Sequence, residues 1–379
     1  NGSRWGVWLL EFLFLFGAGY IGYTLIKRIM GTIPALIGTF IWITAAGNVL
    51  QGGNFSEEYS LLFSFAVALF YLKSLEQPDK KMYSLWIGVS LGLNILLRPN
   101  NIGMQASAAG AYFVLAIISR DWRLLLQRGI LIALGAIAVL APVILYFALQ
   151  GALTEMVNVV IVFNVQYSEG GGLSRVFGGL LNASTSIGLI FTAIALIGYG
   201  LSLLLFLKRE VFNSVLGKFL LILIIGWPIE AVLSTLSGRN YPHYFLVWTP
   251  YLGLLCAYVT YVLLRQFIPR SEKYALACIL ILLTITLVGK LNVWRDYGAV
   301  LARIWTSPQA GLDYRDPVAS YIRENTSPQD QVFVWGFRPV INFASDRESP
   351  ASFLPYPLVH VDTPLGQHWA DQFYSQFTT

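Results

Sequence analysis

The carboxylates of Glu57 and Glu58, the guanidinium groups of Arg98 and Arg239 and the imidazole of His243 all fall close to the ends of long apolar runs. A carboxylate in a cleft can take the proton of an attacking hydroxyl. Arginine or histidine beside it can hold a phosphate through charge-assisted hydrogen bonds. Glu230 follows the kink-prone Pro228, and Asn54 and Tyr244 flank the same run ends as candidates for lining an acceptor cleft. Each residue also has a plainer role: a snorkelling arginine at 98, solvated loop acids at 57 and 58, and a structural helix partner at 230. His243 would then belong to an interfacial aromatic belt with Tyr241, Tyr244 and Trp248. The functional signal is their shared side and depth.

These residues need a frame, and composition names it. The chain has 379 residues, of which 56% are hydrophobic and only 12% charged, with a mean hydropathy of +0.62. A soluble domain carries about 25% charged residues, so a water-facing surface cannot be built from this supply. A spanning helix needs about 17–25 largely apolar residues. The stretches that meet or approach this are Trp5–Ile26, Ile33–Leu50, Tyr59–Leu75, Ser84–Leu97, Ile102–Ile118, Leu124–Leu149, Ile187–Leu207, Val215–Thr235, Tyr244–Leu264 and Tyr274–Gly289. The expected fold class is therefore an α-helical polytopic membrane protein of about ten crossings. The fourth and fifth stretches, joined by Arg98-Pro99-Asn100-Asn101, are short enough to form a re-entrant pair instead.

Charge in the loops tests this threading. One alternating set holds Lys27 and Arg28, Lys80 and Lys81, Arg120, Arg123 and Arg128, Lys208 and Arg209, and Arg265, Arg270 and Lys273; the other holds only Arg4, Arg98, Arg175 and Arg239. Basic residues gather on the cytoplasmic side, so the first set is expected inside and the second, with the C-terminal region, outside. The loop Gln150–Ser186 contains Met156–Val165, too short to span and expected to be interfacial or re-entrant. From Leu291 the polarity rises. Residues 1–290 are thus expected as a transmembrane domain and 291–379 as a small exterior α/β domain. Within it, Asp316–Glu324 reads as a capped helix, Gln331–Trp335 as a buried strand, and Pro339–Ala344 as a second short helix.

Other chemistry is missing from the pattern. Cys256 and Cys278 lie in apolar runs and read as fillers rather than a disulfide or metal pair, and His243, His360 and His368 are too scattered for a metal site. No metal site and no firm cofactor is implied, and divalent-metal dependence stays open. No Walker loop, serine elbow or zinc-protease motif occurs. No basic cluster suggests a nucleic-acid partner. Oligomeric state is not readable, since lipid-facing and partner-facing surfaces look alike.

The runs GGNFSEEYSLLFSFAVALFYL, GLNILLRPNN, GRNYPHYFLVWTPYLGLLCAY and VASYIRENTSPQDQVFVWGFRPVINFASDRESPASF resemble segments of bacterial GT-C membrane glycosyltransferases, relatives of protein O-mannosyltransferases and aminoarabinose transferases. The resemblance extends from about Arg4 to Leu358. It implies a cell-envelope enzyme of the bacterial cytoplasmic membrane. Such an enzyme takes a sugar from a polyprenyl-phosphate donor to a glycan, lipid or protein acceptor, as in protein glycosylation. It also implies a catalytic aspartate in an exterior loop after the first span, and the chain is expected to begin beyond that loop. Glu57–Glu58 match the family's GGN-x-[ST]-E segment and His243–Tyr244 its HY motif. On this view Glu57 or Glu58 assists catalysis, Arg98, Arg239 and His243 bind the donor's lipid phosphate, and transfer inverts the anomeric carbon. Two other classes remain: a transporter of lipid-linked sugars, and a non-catalytic scaffold within a membrane assembly.

Overall fold

The computed structural model describes residues 5–167, 173–267, 291–306, 316–334, 338, 340–350 and 363–378, with single positions between 277 and 288. Helices dominate. In chain order they are α1 (Trp5–Met30), α2 (Thr32–Val49), α3 (Ser56–Glu76), α4 (Met82–Leu97), α5 (Gly103–Ser119) and α6 (Trp122–Leu149). After two short helical turns, Leu153–Val157 (α7) and Phe163–Tyr167 (α8), come α9 (Leu173–Ile187), α10 (Leu189–Leu207), α11 (Val215–Thr235) and α12 (Thr249–Phe267). The remainder are α13 (Leu291–Thr306), α14 (Pro317–Asn325), α15 (Val340–Ser345) and α16 (Pro364–Thr378).

Among the described residues, 7 helices are long and apolar enough to cross a membrane. The expected fourth and fifth crossings exist as the shorter apolar helices Met82–Leu97 and Gly103–Ser119. The expected tenth, Tyr274–Gly289, falls largely outside the described residues. That the long helices live in lipid follows from what they leave uncovered. On α6, Leu126, Ile130, Leu134 and Ile137 form a helical stripe in which each residue is about half exposed or more. In water such a stripe would be a large unprotected apolar surface. In a bilayer it is the lipid face, and the chain is a multi-pass membrane protein.

The described residues gather into two compact units. The larger comprises 10–146 and 170–297. Its centre is α2 against α12, where small residues allow the backbones to touch. A methyl added at Gly38 would meet the Gly253 carbonyl oxygen at 2.6 Å. Without a hydrophobic drive between helices in lipid, such close packing is what holds them together. At one end of this unit Arg28 forms an ion pair with Glu76 (2.8 Å), Arg128 donates to Ser84 Oγ (3.3 Å) and to the Pro78 carbonyl (2.5 Å), and Tyr71 donates to the Lys218 carbonyl (3.1 Å). The basic loops around 28, 80 and 128 therefore share one end, as alternation required. The loops 50–58, 98–101 and 239–244 share the other.

The smaller unit comprises 1–9, 147–169 and 298–379. Helix α14 forms as expected. Asp316 is its N-cap, accepting from the N–H groups of Val318 (2.9 Å) and Ala319 (3.4 Å), with Pro317 in the first turn. The helix expected at Pro339–Ala344 is α15. The expected strand is a correction. Gln331–Val334 is irregular backbone, and no strand occurs among the described residues, so the α/β character is not seen there. The Val332 N–H goes to the Glu348 carbonyl (2.8 Å), and the Val332 carbonyl is taken by the Asn342 side chain (2.6 Å). With both main-chain groups used by a loop and a side chain, no ladder forms. Trp335 lies outside the described residues.

The stretch read as the long loop Gln150–Ser186 is instead largely helical. Leu153–Gln166 forms a short apolar helix with a π-turn at Asn158–Val162, followed by α9. Its length stays below that of the spans, as expected for Met156–Val165.

Candidate functional site

The site is built on a left-handed loop. Gln51, Gly52, Gly53 and Asn54 have successive φ values of 49, 98, 86 and 64°. Glycine accepts this conformation freely, but Gln51 and Asn54 do so at a steric cost. Such strain persists only where surrounding contacts over-determine it. Here they do. The Gly53 N–H donates to the Leu50 carbonyl (2.9 Å), the Asn54 N–H to Glu11 Oε1 (3.1 Å) and the Phe55 N–H to Glu58 Oε1 (2.9 Å). Asn54 Oδ1 accepts from the Tyr59 hydroxyl (2.7 Å).

Two further segments meet this loop. The turn after α4 is tied by the Asn101 N–H on the Arg98 carbonyl (3.0 Å), by Asn94 Nδ2 on the Asn101 carbonyl (2.7 Å) and by Asn101 Nδ2 on Ser60 Oγ (2.9 Å). It presents Arg98. The guanidinium pairs with Glu57, and its carbon sits 3.9 Å from the Tyr244 ring centre as a cation–π contact. Burial pushes the Arg98 pKa down from its ordinary value, and the Tyr244 hydroxyl acts against that. Arginine remains charged regardless. Glu57 is 2% exposed, and its second oxygen accepts from Ser56 Oγ (3.1 Å).

The other segment is the 3-10 helix Pro242–Trp248. It lays the His243 ring parallel to Phe55 at 4.0 Å and 6°. Gln51 Oε1 accepts both the His243 Nδ1–H (2.7 Å) and the His243 main-chain N–H (3.4 Å). A proton on Nδ1 leaves Nε2 of the neutral ring as the acceptor nitrogen. Tyr241 and Tyr244 enclose the imidazole at 5.7 and 4.7 Å.

Glu57, Glu58, Arg98, His243, Tyr244 and Asn54 thus meet at one end of the larger unit, drawn from segments far apart in sequence. Arg239 lies on the exposed loop just before, where its N–H meets Ser237 Oγ (3.3 Å). Glu230 stands apart on α11. It is 2% exposed, packs against Gly103 at the start of α5, and has one carboxyl oxygen without a hydrogen bond. Among the described residues no group of three or more metal-ligating side chains forms.

Comparison of the chain with protein-family models, with characterised sequences and with solved structures finds no match. The site must be read from its own chemistry. It couples a buried carboxylate–guanidinium pair to a neutral imidazole and phenols at the end opposite the basic loops. Such a set can bind an anion and accept a proton. Sequence reasoning missed Glu11, Gln51, Phe55 and Tyr59. For Glu11 a signal existed, because it is the sole charged residue between Arg4 and Lys27.

Proposed function

We propose that the chain belongs to a GT-C-type membrane glycosyltransferase, which moves a sugar from a polyprenyl-phosphate donor to a glycan, lipid or protein acceptor with inversion. The single observation that carries this is the meeting of Glu57, Arg98, Tyr244 and His243 beside the strained loop Gln51–Asn54 at one end of the helical unit. The motif resemblance supports it independently. The proposal includes a bacterial cytoplasmic membrane, Tyr274–Gly289 as a further crossing, and an exterior side for the site and the C-terminal region.

In the proposed reaction an acceptor hydroxyl oxygen attacks the anomeric carbon. The bond from that carbon to the donor's phosphate oxygen breaks, and lipid phosphate leaves with the electron pair. The hydroxyl proton passes to a carboxylate, for which Glu57 and Glu58 are the candidates in this chain. Charge grows on the leaving phosphate at the membrane edge. Arg98, with Arg239 and His243 beside it, is arranged to answer that growth. Glu57 then sets the guanidinium's position before the donor arrives.

One observation favours a second reading. Arg98 is already paired with Glu57 and His243 is already stacked and hydrogen-bonded, as in a purely structural clamp of a non-catalytic scaffold. Transfer of radiolabelled sugar from a polyprenyl-phosphate donor separates the two. Membranes holding the wild-type protein should transfer, and His243→Ala and Arg98→Lys should lower the rate by about 10²-fold or more at unchanged protein level. Absence of transfer in the wild type moves the assignment to the scaffold. A product of retained configuration overturns the inverting chemistry.

A further inference from the structure

Glu11 enters none of the roles above, yet it is the charged residue that α1 carries through its apolar stretch, where charge is costly. Its carboxyl group lies beside that of Glu58, because the two are held by consecutive main-chain amides of one loop. The two carboxyl groups take neighbouring main-chain donors, Asn54 N–H on Glu11 Oε1 (3.1 Å) and Phe55 N–H on Glu58 Oε1 (2.9 Å). Glu58 is fully buried, and its Oε2 has no hydrogen-bond partner. Gly53 lies against the Glu11 carboxyl group, which a side chain at that position would have to displace.

Two neighbouring carboxylates repel when both are ionised, and the burial of Glu58 makes a second charge there costly. One proton between them removes the repulsion and gives the orphaned Glu58 oxygen its partner. The other titratable group facing the pair is Tyr59 on α3, whose hydroxyl is held by Asn54; His243 on the 3-10 helix is turned to Gln51 and Phe55. Glu57 and Arg98 form an ion pair of their own.

We propose that Glu11 is a positioning residue of this site: it and Glu58 hold one proton between them, and this carboxyl–carboxylate bond fastens α1 to the left-handed loop that carries Asn54, Phe55 and, through Gln51, His243. The catalytic consequence rests on the glycosyltransferase reading; the shared proton does not. No covalent bond changes, and the proton comes from water.

Infrared difference spectroscopy on the whole chain in lipid nanodiscs reads the proton directly. Wild type minus Glu11→Gln at neutral pH should show the carbonyl band of a protonated carboxyl, and any band from the buried Glu230 cancels. Should Glu11→Gln not fold, Glu58→Gln reads the same band, because its amide oxygen can still accept from Phe55. A band of equal size in wild type and both variants overturns the proposal, and so does a wild type without one. The second readout is the pH profile of sugar transfer. Wild-type transfer should fall over the pH range in which the band disappears, and Glu11→Gln should lack that limb. A band that behaves as expected with no transfer from any polyprenyl-phosphate donor keeps the shared proton and rejects the glycosyltransferase reading. A band lost in Glu11→Gln with an unchanged transfer profile rejects the positioning role.

Discussion

Among single residues, Arg98 carries the largest stake, because its removal strands a buried carboxylate. Breaking a buried ion pair from one side costs about 3–5 kcal/mol. Arg98→Ala should therefore lower the thermal unfolding temperature in detergent far more than an exposed arginine such as Arg123 does. The double variant Arg98→Met with Glu57→Leu should recover most of that stability while remaining inactive in transfer. Stability unchanged in Arg98→Ala would mean that the pair contributes nothing to the fold. His243 separates the two roles differently. Its ring lies flat on Phe55, a contact worth about 0.5–1.5 kcal/mol. His243→Phe keeps a stacked ring and loses both the acceptor nitrogen and the ring's bond to Gln51. It should unfold close to wild type and transfer no sugar, whereas a Phe variant that transfers normally would reduce the histidine to packing.

Among elements, the loop Gln51–Asn54 is where local sequence and tertiary contacts act together. Gly53→Ala puts a side chain at a positive φ and drives it into the Glu11 carboxyl group. A cost above about 1 kcal/mol is expected, because the new residue cannot adopt the native backbone without strain. In a Glu11→Ala background, which already lacks the Glu11–Asn54 bond, the collision is gone and the φ strain stays, so Gly53→Ala should there cost less than in the wild type but not nothing. No cost in that background would show that the backbone was never strained. The same loop marks what the sequence could disclose. The paired glycines announced a turn, and Glu57 and Glu58 announced a polar mouth. Nothing local announced that Gln51 would meet His243 across 192 positions, because that contact comes from helix packing. The tail repeats the point. Thr363-Pro364 is a legible helix start, with Thr363 Oγ1 accepting the Gly366 N–H at 3.0 Å. The apolar run at Gln331–Trp335 suggested a strand because strand-like composition cannot tell whether a partner strand exists. The apolar helices among the described residues were legible from span length because the bilayer imposes that length on each segment separately.

For the whole molecule, the decisive property is which end of the larger unit faces which compartment. Contacts place the loops near 28, 80 and 128 together and the loops near 51, 98 and 243 together, so the two groups must open on opposite sides of any membrane the helices cross. In the proposed orientation the first group, richer in lysine and arginine, is the cytoplasmic one, since basic loops gather on that side. A polyprenyl-phosphate donor used at the second end would be consumed on the exterior face. Single-cysteine labelling tests this order of inference step by step. In a chain with Cys256 and Cys278 replaced by serine, Gln51→Cys and Lys80→Cys should react with a membrane-impermeant maleimide from opposite sides, with Gln51→Cys accessible in intact cells. Labelling of both from one side would break the threading itself, and with it the shared site. Labelling from opposite sides with Lys80→Cys outside would keep the fold and the site but invert the membrane. The donor would then have to be a cytoplasmic one, and a nucleotide sugar would replace the lipid-linked sugar as the substrate to try.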